Sequence, residues 1–133
     1  MNEIITNQQI IKELLQEGEE LLLLSDPLPF NANNLKDLKD VPGVYVISSE
    51  GKIIYVGQTK KLRDRLYKHH LKRTPTSSLR KNILRVLGTE YCVNNYLKYC
   101  TFQYIPINLG RIELEEYLIA KYRPIFNILV YNR

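Results

Sequence analysis

The 133-residue chain is short of the features that mark several common protein classes. Its two cysteines, Cys92 and Cys100, are too few for a disulfide-dense scaffold or a four-ligand zinc site. Two reduced thiols in a cytoplasmic protein are the reading that fits. No apolar run exceeds the four residues Leu21–Leu24, far below the roughly 20 needed to span a bilayer, so no membrane role is expected. The opening MNEIITNQQ lacks a basic stretch followed by an apolar core and does not read as a secretory signal. There is no internal repeat, no low-complexity tract and no zinc-finger spacing. With 44% apolar residues, this length supports one modest core.

The net charge of +5 hides an asymmetry. Residues 1–42 carry three Lys/Arg against eight Asp/Glu, whereas residues 43–133 carry 16 against six and hold all ten tyrosines. The densest basic stretch, Lys60 to Arg85, has ten Lys/Arg and only Asp64 opposing them. An acidic leader, residues 1–40, is therefore joined to a basic, Tyr-rich body, residues 41–133. That imbalance points to a polyanionic partner.

The leader has helical spacing from about Asn7 to Leu24, ended by Ser25-Asp26-Pro27, with a loop from Pro27 to Asn34. Such a helix either covers part of the body or mediates a homodimer or a protein partner. After Gly43 the period changes. Val44–Ile47 and Ile53–Val56 read as a hairpin. A three-residue loop Ser49-Glu50-Gly51 pairs Tyr45 with Tyr55 on one face, and leaves Val44, Val46, Ile54 and Val56 on the other. A two-residue loop at Glu50-Gly51 puts the tyrosines on opposite faces.

Thr59 can cap a helix running to about Leu71, with Leu62 and Leu66 buried. On it, Arg65 and His69 stack four apart, and Arg63 and His70 are placed almost symmetrically across the stripe. Spacing alone does not choose between the pairs. Ser77 or Ser78 can cap a second helix, ended by Gly88, with Leu79, Ile83, Leu84 and Leu87 inside and Arg80, Lys81 and Arg85 outside. Cys100 to Ile105 reads as a third strand. In the last helix, about Arg111 to Tyr122, Ile112, Leu118, Ile119 and Tyr122 span one apolar arc and Glu115 falls inside it. A carboxylate there needs a partner, either a metal or a cationic side chain.

Gly43-Val44-Tyr45, Tyr55-Val56-Gly57, Arg65 ten residues after Tyr55, His69 four further on, and the ending Glu115 to Asn127 with Pro124 together resemble the signature of the GIY-YIG nucleases. The resemblance spans about Val41 to Asn127. Val replaces Ile in both triplets, and Gln58 stands where some relatives carry Lys. It implies an α/β fold, a small, mainly antiparallel three-stranded sheet flanked by helices, here with an N-terminal helical extension. It implies divalent-metal-dependent cleavage of DNA phosphodiester bonds. The implied site residues are Tyr45, Tyr55, Arg65, His69, Glu115 and Asn127, with Glu115 holding one Mg²⁺ or Mn²⁺. Arg65 would neutralise charge on the phosphorane, Tyr45 would be the general base and Tyr55 the positioner of phosphate or water, or the two exchanged, His69 the proton acceptor or relay, and Asn127 a structural hydrogen-bonder.

The scarcity of carboxylates in the body agrees with one ion, since two-metal sites usually need several. Lys60, Lys61, Arg63, Lys68, His70, Lys72, Arg73, Arg80, Lys81 and Arg85 read as non-specific DNA-backbone contacts. The alternatives are a catalytically weak DNA-binding module, or a nuclease subunit recruited to a repair, restriction or mobile-element complex. The expected location is cytoplasmic.

Overall fold

The computed structural model describes residues 2–128; the last five positions of the expected 41–133 body lie outside the described residues. Helix α1 (Asn2–Leu24) is followed by the short strand β1 (Leu28–Pro29) and helix α2 (Ala32–Leu35). The hairpin β2 (Gly43–Ser49) and β3 (Lys52–Thr59) comes next, then a wide helical segment Asp64–His70 and a 3₁₀ turn Thr74–Thr76. Helices α3 (Ser78–Leu87) and α4 (Glu90–Lys98), strand β4 (Thr101–Pro106), and helices α5 (Arg111–Tyr122) and α6 (Ile125–Ile128) complete the chain. Among the described residues, no helix is long and apolar enough to cross a membrane.

The sheet is antiparallel in the order β1-β4-β2-β3. It has four strands, not the expected three. Leu28–Pro29 lies in the segment read as loop and pairs with Phe102 and Thr101. One face carries Tyr45, Ile47, Tyr55 and Phe102 against residues of α2, α3, α4 and the wide segment. The other carries Val44, Val46 and Val56 against Leu22 of α1 and Leu114 and Leu118 of α5.

The hairpin differs instructively from expectation. Its loop is the two-residue Glu50-Gly51, both with positive φ, and Ser49 pairs with Lys52. That register alone would separate the tyrosines. The pairing then shifts by one residue between Ile47 and Ser48, so Ile47 faces Tyr55 and Tyr45 faces Gly57. The bulge restores the parity that the short loop removes, and both tyrosines share a face. Ile54 is the extra residue, and it joins the tyrosine-side core instead of the opposite one.

Other corrections follow from packing. Helix α4, capped by Thr89 accepting from Cys92 N, occupies a stretch with no expected element. On α5 the buried seam is Leu114 and Leu118, whereas Ile112 is exposed. On α3, Leu87 is exposed and Arg80 is buried. The C-terminal half of α1 is stitched into the body. Leu22 is buried, and Gln103 Nε2 donates to the carbonyls of Leu23 and Ser25. The Glu19 carboxylate accepts from Lys121 Nζ, Tyr117 OH and Tyr122 OH. Burial pushes this carboxyl up, but those donors more than offset it and hold it below its ordinary value.

Candidate active site

Two glycines let the backbone bring the site together. A Cβ on Gly57 would lie 2.3 Å from the Tyr45 hydroxyl, so the Tyr45 ring can cross β3 only where there is no side chain. A Cβ on Gly43 would meet Leu62 Cδ1 at 2.5 Å and the Ile105 carbonyl at 2.6 Å. The ring centroids of Tyr45 and Tyr55 are 6.3 Å apart. Asn127 braces the outer edge of β3. Its Oδ1 accepts Val56 N–H at 2.7 Å and its Nδ2 donates to Val56 O at 2.8 Å. Because β3 ends the sheet, these groups have no strand partner on that side.

The segment after the hairpin decides which histidine enters. Leu71 N bonds Leu66 O, five residues back, so the turn is wider than an α-helical one. His70, 0% exposed, is thereby turned inward between the two tyrosines. Its Nε2 is 2.6 Å from Tyr45 OH and its Nδ1 is 2.6 Å from Ser77 Oγ. His69 is directed elsewhere, with Nδ1 2.6 Å from Thr76 Oγ1 and Nε2 3.1 Å from Asp64 Oδ2. His70, expected on the DNA backbone, thus takes the place expected of His69 at the tyrosines. An α-helical count of four residues fails where the turn takes five.

Tyr55 OH is 2.5 Å from Ser78 Oγ. Arg65 is half-buried, and Nη1 donates to Thr76 O at 3.3 Å. The charges of Arg65 and Glu115 both act on Tyr45 and Tyr55. Burial raises both phenols, most strongly Tyr45; Arg65 pulls each down and Glu115 pushes each up. Burial, with Arg65, His69 and Arg80, lowers His70 to about 3, so the ring is neutral.

Glu115 is half-buried and has no ion-pair partner among the described residues. Burial raises its carboxyl, a backbone bond from Gln58 opposes this, and Glu116 adds to it. Among the described residues no cluster of three metal-ligating side chains forms. One carboxylate without a cation, open to water and substrate oxygens, is a donor set that suits a hard divalent ion. Arg111, one turn before Glu115, donates from Nε to Gln58 Oε1 at 2.9 Å and places a guanidinium at this corner.

Of the nine expected DNA contacts besides His70, Lys60, Lys61, Lys68, Lys72, Arg73, Lys81 and Arg85 are exposed and Arg63 is half-buried, 3.8 Å from Asp40. Arg80 is a correction. It is 2% exposed and donates to Thr74 Oγ1, Leu71 O, Glu90 and Asn94, so it braces α3, α4 and the turn before them. Sequence reasoning gave Ser77 only a capping role and did not single out Arg111. The Ser77-Ser78 pair is visible as a cap, but nothing in its spacing announces hydroxyl partners for His70 and Tyr55.

The profile of the GIY-YIG catalytic domain matches residues 41–128. The chain belongs to the GIY-YIG family. UvrABC system protein C of Bacteroides thetaiotaomicron is 32% identical over 95 residues, covering 71% of this chain and 14% of that protein. The Clostridium botulinum (strain Hall) protein of the same name is 37% identical over 100 residues, with coverage of 72% and 14%. The chain thus spans about a seventh of these relatives' length. The GIY-YIG N-terminal endonuclease domain of UvrC from Thermotoga maritima, bound to its catalytic magnesium, superposes with a TM-score of 0.51 at 25% identity, covering 71% of this chain and 91% of that one.

Proposed function

We propose that this GIY-YIG chain is a divalent-metal-dependent DNA endonuclease that hydrolyses phosphodiester bonds. The observation that carries the reading is the convergence of Tyr45, Tyr55, His70 and Arg65 on one face of the hairpin, within the field of Glu115, which has no ion-pair partner among the described residues. A binding module has no need of a buried phenol set against a neutral imidazole.

Tyr45 acts as the general base. Its oxygen takes a proton from the attacking water while its own proton passes to His70 Nε2. Arg65 offsets part of the burial that raises both phenols, and it neutralises charge developing on the phosphorane. Tyr55, held by Ser78, positions water or phosphate. Glu115 would hold one Mg²⁺ or Mn²⁺, which when bound would act as a Lewis acid toward the scissile phosphate. Asn127 fixes the strand that carries Tyr55. The exposed lysines and arginines track the DNA backbone, each neutralised phosphate adding roughly 0.9 to the salt slope.

By analogy with the UvrABC system protein C relatives, a role in DNA repair is the pathway we favour. A homodimer or partner contact through α1 would use its exposed face, which carries Ile10, Ile11 and Leu14, since Leu22 is buried against the sheet and α5.

Nicking of supercoiled plasmid tests the reading. Nicks should require Mg²⁺ or Mn²⁺, stop with EDTA, and disappear in Glu115→Ala. Undiminished cutting by Glu115→Ala would remove the metal role.

A further inference from the structure

Ser77 stands at the start of α3, fully buried. Its Oγ accepts Arg80 N–H at 3.0 Å, as a helix cap does. The same oxygen is 2.6 Å from His70 Nδ1, and His70 Nε2 is 2.6 Å from Tyr45 OH. Ser77, His70 and Tyr45 therefore form an unbroken line whose inner members, Ser77 and His70, are closed to solvent. The charged and titratable groups beside the line are Arg65, His69 and Arg80 at the imidazole, and Tyr55, Arg65 and Glu115 at the phenol.

A neutral imidazole has one donor nitrogen and one acceptor nitrogen. Two hydroxyls face the ring, and only one can donate to the acceptor. The phenol, with an ordinary pKa near 10, is the more acidic and so the stronger donor. Ser77 Oγ already serves as an acceptor for Arg80 N–H. Tyr55 has no such outlet on its Ser78 side, since a serine hydroxyl does not take up a proton as imidazole does.

We propose that Ser77 is a positioning residue that accepts the Nδ1 proton of His70, keeps Nε2 open for the Tyr45 hydroxyl proton, and so makes Tyr45 rather than Tyr55 the base. The role of Tyr45 rests on the nuclease reading; the tautomer does not. In the step, the Tyr45 O–H bond breaks and Nε2–H forms while water gives its proton to the Tyr45 oxygen. The new hydroxide oxygen bonds phosphorus, the P–O3′ bond breaks, and O3′ takes a proton from solvent. The imidazolium then returns its proton through Tyr45.

Two measurements test this. In ¹⁵N-labelled full-length protein at neutral pH, long-range ¹H–¹⁵N spectra should show the Nδ1–H tautomer for His70, with His69→Gln used for assignment. An Nε2–H tautomer overturns the proposal. In single-turnover plasmid nicking with Mg²⁺, Ser77→Ala should be slower by about ten- to a hundredfold with unchanged DNA affinity in EDTA. Ser77→Thr, which keeps both cap and hydroxyl, should restore most of the rate. Wild-type speed in Ser77→Ala overturns the proposal, as does a folded Ser77→Thr as slow as the alanine variant. If Ser77→Ala does not fold, the wild-type spectrum and Ser77→Thr decide. A wild-type protein that binds plasmid without nicking it overturns the nuclease reading and the role of Tyr45, while the spectrum still decides the tautomer.

Discussion

The ring of Tyr45 lies across Gly57, so close that a Cβ there would come within 2.3 Å of the Tyr45 hydroxyl and ring. The glycine of the second triplet is thus a steric requirement of the tyrosine of the first. Gly57→Ala should displace the Tyr45 ring from His70. We expect a loss of about 1–3 kcal/mol from overpacking. Urea unfolding reads the stability and plasmid nicking the activity. A variant as stable and as active as wild type would show that the ring need not sit there.

Asn127 and Val56 support a second prediction. Asn127→Ala removes both side-chain bonds to one edge residue and leaves a part-buried N–H and C=O without partners. The expected cost is about 1–3 kcal/mol. Slow amide exchange at Val56 should become fast by hydrogen exchange NMR. Because Val56 lies between Tyr55 and Gly57, nicking should fall more than the DNA affinity does. Equal falls in both would reduce Asn127 to a general stabiliser.

Arg80 separates a structural arginine from a DNA contact. Arg80→Ala leaves Leu71 O and Asn94 Oδ1 without this donor, and leaves Glu90 to the Thr74 hydroxyl. A loss of about 1–3 kcal/mol in urea unfolding is expected from the unpaired acceptors. Its DNA-binding salt slope should match wild type, whereas Lys81→Ala and Arg85→Ala should each lower the slope by roughly 0.9 at most, with little change in stability. A lowered slope in Arg80→Ala would return it to the DNA surface.

The burial of His70 ties stability to pH. Its folded value is about 3, below the ordinary 6.5 to which it returns on unfolding. Between these values the unfolded chain binds a proton that the folded chain does not. Stability is therefore full above about pH 6.5 and falls as pH drops toward 3, by up to about 1.4 kcal/mol per pH unit from this group. Glu19, held below its ordinary value, adds to the loss only where carboxylates titrate. Urea unfolding between about pH 7.5 and 5 should show the slope in wild type and a flatter one in His70→Gln. The same slope in both proteins would place the protonating group elsewhere.

Most of the frame was legible in the residues. Two β-branched and aromatic runs around Glu50-Gly51 announced the hairpin, and Ser77 and Gly88 bounded α3 at positions the structure confirms. The element after Gly88 was not legible, because α4 buries mainly Val93 and Leu97, too few apolar positions to show a period. Nor was β1, whose two residues form a strand only because β4 offers a partner.

The sequence by itself determined the chemical inventory: two tyrosines, an arginine, two adjacent histidines, one carboxylate on a helix and an asparagine, in family order. Tertiary structure decided which of them meet. A one-residue bulge at Ile54 set both tyrosines on one face despite a loop that would divide them. A five-residue turn chose His70 over His69. Burial turned Arg80 from an exposed charge into a brace. Each outcome depends on a shift of a single residue in register or of about one position around a helix. Local propensity is nearly indifferent to such shifts, and only the packing of the sheet against its helices separates them.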